Sequence, residues 1–117
     1  MPTITLITMN ARELLVKAAQ LIETHGFDST AEDPKGRVPL TLVGAMKVVL
    51  DRPPRKWLLT LPIREQILIN YAFCQVELAY YGMSSRAERE TNLAGWLRKA
   101  TKTQVMWLIN ETLAEEM

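Results

Sequence analysis

A single all-α domain of about five helices is what this chain predicts, and three observations carry that expectation. Apolar residues recur at helical spacing over most of the chain, above all from Pro62 to Tyr81. Asn10, Ser85 and Thr101 each stand three residues ahead of a Glu or Gln, the spacing of helix starts. Gly26, the pair Pro53 and Pro54, and Gly82 fall where such helices have to stop. The 117 residues suit one domain spanning 1–117, and with 48% hydrophobic and 23% charged residues they resemble ordinary globular chains that bury a core.

From the N-terminus, Thr3 to Thr8 alternates Ile4 and Leu6 against threonines, a period of two that admits a short strand or an ordered arm. Asn10 and Glu13 then open a helix with Leu14, Leu15, Ala18, Leu21, Ile22 and His25 on one face. Gly26 ends it, because glycine accepts the positive φ of a helix C-cap, and Phe27 folds back onto the last turn. Asp28 to Pro39 is polar, with a turn signature at Asp33, Pro34, Lys35 and Gly36. Arg37 to Leu40 is placed to pair with the N-terminal arm as a minor β-pair.

A second helix is expected to begin near Thr41 and to be buried, since Leu42, Val43, Ala45, Met46, Val49 and Leu50 surround it. Gly44 within it predicts a close backbone contact. The stretch from Asp51 to Pro54 terminates it, as two prolines lack donors and restrict the residues before them. Trp57, Leu58, Leu59 and Leu61 are expected to pack a connector against the core. The long helix over 62–81 follows, capped by Thr60 or Leu61 with Pro62 in its first turn. Ile63, Ile67, Tyr71, Cys74, Leu78 and Tyr81 recur along it at steps of four and three. That spacing is read as the seam the other elements pack around, with Ile67 and Leu78 buried at its centre. After Gly82, Ser85 and Glu88 predict an exposed helix through Arg89 and Glu90 whose inner side is Leu93, Trp96, Leu97 and Ala100. Thr101 and Gln104 then start a last helix lined by Val105, Leu108, Ile109, Thr112 and Leu113.

Three of these segments, LLVKAAQLIETHGF, DPKGRVPLTLVGAMKVV and LAGWLRKATKTQVMWLI, together resemble a family of small actinobacterial and actinobacteriophage proteins of unknown function. Those proteins carry a leading helix ending in Gly-Trp, an Asp-x-x-Gly-Arg turn, a Leu-Gly-Ala helix, and a tryptophan followed by a Thr-capped helix. The matching positions are Gly26, Gly36, Arg37, Gly44, Ala45, Trp96, Thr101 and Val105. Phe27 stands where the family has tryptophan, Thr41 where a cysteine is common, and Leu97 and Arg98 where Asn-Asp is usual. The resemblance implies a helical fold and a phage or actinobacterial accessory role, and no activity.

The chemistry-bearing residues point away from catalysis. His25, the sole histidine, sits at a helix C-terminus, where it bonds carbonyls or favours the dipole. Cys74 falls mid-seam and reads as a buried thiol without the base an activated nucleophile needs. Glu88 with Glu90, and Glu115 with Glu116, are solvated carboxylate pairs without an apolar pocket to raise a pKa. One cysteine excludes an internal disulfide, no apolar run reaches transmembrane length, and no cofactor or metal motif is present. A soluble cytoplasmic protein with no membrane association is expected, in the host cytoplasm if phage-encoded.

Two binding surfaces remain. Arg52, Arg55, Lys56 and Trp57 form a basic and aromatic connector that suits phosphates and a stacked base. The net charge of +1, from 14 basic and 13 acidic residues, ranks nucleic acid second. The favoured partner is a protein, either a host protein or a second copy. Met106 and Trp107 stand off the Val105, Leu108, Ile109 stripe and are the candidate interface, because exposed aromatic and methionine side chains favour partner binding.

Overall fold

In the computed structural model of this protein, residues 9–27, 41–54, 56–82 and 92–115 are described. Helix starts in them follow local chemistry. Asn10 Oδ1 accepts the Glu13 N–H at 2.8 Å and opens α1, Ala11–His25. Thr41 Oγ1 accepts the Gly44 N–H at 2.9 Å and opens α2, Leu42–Val49. A 3-10 turn at Leu58–Thr60 leads into α3, Ile63–Tyr81, whose N-cap is Pro62. Asn92 caps α4, Leu93–Lys99, through the Gly95 N–H at 2.8 Å. A complete capping box, Thr101 with Gln104, opens α5, Lys102–Ala114. The protein is a single all-α domain, with five α-helices and no strand among the described residues.

Helix α1 is the hub of the packing. It contacts α2, α3 and α5, and α3 in turn packs on α2 and α5. Its inner face is Ala11, Leu14, Leu15, Ala18, Ala19 and Ile22, all buried. Facing it are Leu42, Ala45 and Met46 of α2, Ile69, Ala72, Val76 and Tyr80 of α3, and Val105, Leu108 and Ile109 of α5. The alanines on α1 and α3 let the backbones approach closely, and the branched side chains fill the space between them. Tyr80 carries the core toward α4, its ring centroid 5.6 Å from that of Trp96.

Helices α1 and α5 run antiparallel and are joined at both ends. Arg12 Nη1 donates to the Leu113 carbonyl at 2.7 Å, across 101 residues of sequence. Lys102 Nζ donates to the Glu23 carbonyl at 3.0 Å, with the Glu23 carboxylate 3.7 Å away.

Several expectations are corrected. The seam Ile63, Ile67, Tyr71, Cys74, Leu78 and Tyr81 faces outward, with Ile67 62% and Leu78 66% exposed. The core takes the opposite stripe of α3, in which the small Ala72 and Val76 stand between the buried Ile69 and Tyr80. Cys74 is therefore exposed, not a buried thiol. His25 is exposed at the end of α1 and lies off the inner face. Helix α4 starts from Asn92; the Ser85–Glu88 signature lies outside the described residues, as do the N-terminal arm, Arg37 to Leu40 and the Asp33–Gly36 turn. Gln66, not Thr60 or Leu61, ties down the start of α3, donating to the carbonyls of Leu59 at 3.2 Å and Leu61 at 2.7 Å.

Two glycines behave as their positions require. Gly26 has φ 94° and ψ 169°, a conformation open in practice to glycine alone, and its N–H closes α1 on the Ile22 carbonyl at 2.7 Å. A Cβ on Gly44 would lie 2.8 Å from the capping Thr41 Oγ1 and 3.4 Å from the Pro54 side chain, which is the close contact the sequence predicts.

Candidate protein interface

Turning α3 by about 100° per residue places Ile69, Ala72, Val76 and Tyr80 on one side and the outward stripe roughly 180° away. Within that stripe Ile63 is 66%, Tyr71 53% and Tyr81 46% exposed. No charged residue interrupts it; Arg64 borders one edge, and Asn70 and Glu77 the other. From Ile67 onward the members alternate by four and three residues, the pattern of a helix that packs against a second helix. The stripe is thus an aligned, exposed apolar face with a polar border.

The approach to α3 is held rigidly. Helix α2 ends in a Schellman motif in which the Asp51 N–H donates to the Val48 carbonyl and the Arg52 N–H to the Lys47 carbonyl, each at 2.9 Å. Asp51 supplies the positive φ of 60° that the motif needs. Arg52 is thereby aimed at α3, where its Nε and Nη2 donate to the two oxygens of Glu65 at 2.8 and 2.9 Å. The hydrogen bonds from Arg52 hold the buried Glu65 carboxyl below its usual range, against the opposing effect of burial. Lys47, also buried, donates to the Pro54 carbonyl at 3.4 Å, and desolvation lowers its pKa.

The basic connector is thus only partly a surface. Arg52 is committed to Glu65 in a bidentate pair, and Arg55 lies outside the described residues. Lys56 is exposed and Trp57 is 71% exposed.

Met106 and Trp107 separate. Met106 is half-buried and lines an open groove of about 360 Å³ between α1 and α5, together with Val16, Ala19 and Leu113. Trp107 is 46% exposed, a quarter-turn away. The residues missed as surface are Ile63, Ile67, Tyr71 and Leu78; their signal was the second, alanine-bearing stripe on the same helix, which a close-packed core prefers.

Among the described residues, no helix is long and apolar enough to cross a membrane, and no three His, Cys, Asp or Glu side chains gather where they could hold a metal ion. No protein-family model, curated protein or solved structure matches this chain.

Proposed function

We propose that this protein is a non-enzymatic interaction module whose working surface is the outer stripe of α3. One observation carries the reading: the 19-residue α3, packed on α1, α2 and α5 by its other face, leaves Ile63, Ile67, Tyr71 and Leu78 each more than half exposed. Monomeric proteins scatter such residues, and leaving them aligned along one face favours association. Trp107 adds a separate aromatic point of contact on α5. The accessory role in a phage or actinobacterium belongs to this proposal and rests on the sequence motifs alone. The nucleic-acid reading is weaker, because the carboxylate of Glu65 already occupies the guanidinium of Arg52.

The test is the double variant Ile67→Glu with Leu78→Glu, compared with the wild type for binding by the purified chain to itself and to a panel of proteins from its cell of origin. Loss of binding with unchanged helical circular dichroism is the expected result. Retained binding places the working surface elsewhere.

A further inference from the structure

Resting on that reading, we propose that the partner on the α3 stripe is α3 of a second copy, lying antiparallel across a two-fold axis that passes between Tyr71 and Cys74. The stripe is self-complementary in this direction and not in the other. Its inner members run aliphatic, aromatic, small, aliphatic: Ile67, Tyr71, Cys74, Leu78. Laid antiparallel, each Tyr71 ring meets the small Cys74 of the other copy, and each Ile67 meets a Leu78. Large against small fills the two central layers and aliphatic against aliphatic the two outside them, as an isologous interface requires. A parallel pairing sets ring against ring and thiol against thiol. The heptad phase agrees, since Tyr71 and Leu78 occupy one core position and Ile67, Cys74 and Tyr81 the other, and antiparallel helices pair the first kind with the second.

The size of the stripe is sufficient. At the exposures observed, its five large side chains offer on the order of 600 Å² per copy, about what each partner gives to the smaller standard interfaces. No charge lies between Ile67 and Tyr81 on this face, so closing it strands none.

Sedimentation equilibrium under reducing conditions, up to about 100 μM to span the micromolar affinities of interfaces this size, is expected to show a dimer. Ile67→Glu with Leu78→Glu is expected to be a monomer with the same helical content. Cys74→Tyr opposes two rings at each central layer and is expected to weaken the dimer about tenfold or more. Adding Tyr71→Cys to it exchanges large and small on both copies and is expected to restore the affinity to within roughly threefold. A wild-type monomer over the whole range overturns the proposal, as does a dimer untouched by the two glutamates. Failure of the exchanged pair to recover overturns the antiparallel arrangement. A monomer whose stripe variants still lose binding to a different protein refutes self-association and leaves the interaction role standing; a monomer whose variants lose nothing removes both.

Discussion

Asp51 shows how much one backbone angle organises. Its φ of 60° ends α2 in the Schellman motif and turns the next residue, Arg52, onto Glu65. Aspartate tolerates this region better than most residues but not as well as glycine. Asp51→Gly is accordingly expected to raise stability by about 0.5–1 kcal/mol, read as a higher urea midpoint with unchanged slope. Glu65 gives the pH dependence. Its pKa is lowered in the folded state, so its stabilising contribution is complete above the unfolded value of about 4.3 and fades as pH falls through the folded value. Glu65→Gln should therefore lower the melting temperature at pH 7 and lower it less at acid pH, the gap closing as Glu65 takes up its proton. An equal gap at both pH values would show that the pairing adds nothing. Features of this kind divide by range. The caps at Asn10, Thr41 and Thr101 were legible because each is settled within four residues, whereas the Arg52–Glu65 pair depends on how two helices meet.

Element by element, α3 is the informative case, because its length and position were legible and its orientation was not. Two apolar stripes run along it, and sequence alone ranks them by bulk, which favours Ile63, Ile67, Tyr71 and Leu78. Packing against α1 and α5 buries the other stripe, Ile69, Ala72, Val76 and Tyr80. The candidate site was therefore visible as residues and mistaken as to side. The two faces predict opposite responses to substitution. Leu15→Ala, on the buried face of α1, is expected to cost about 2–5 kcal/mol, a large part of a small domain's stability. Ile67→Glu with Leu78→Glu is expected to stay within about 1 kcal/mol of the wild type when both are measured as monomers, since exposed positions tolerate change. Denaturant unfolding at low protein concentration compares the two directly. Collapse of the glutamate variant would mean that the stripe is covered within the chain itself.

At the scale of the molecule, the chain is organised around α1, with α3 serving as the layer that presents a face outward. Helices α2, α3 and α5 each close one side of α1, and α4 is joined to α3 through Tyr80 and Trp96. The sequence supports the helical class and the count of helices, since both follow from periodicity and stop signals; it does not reveal which helix is central, because that is decided by contacts between residues far apart in the chain. The bond from Arg12 to the Leu113 carbonyl is the extreme instance. It also sets an order in time. A ribosome makes α1 before α5, so the flank of α1 that carries Val16 and Ala19 waits uncovered until α5 emerges. Until α5 emerges, that side of α1 is an open apolar flank, the kind of surface that makes an incomplete chain prone to association.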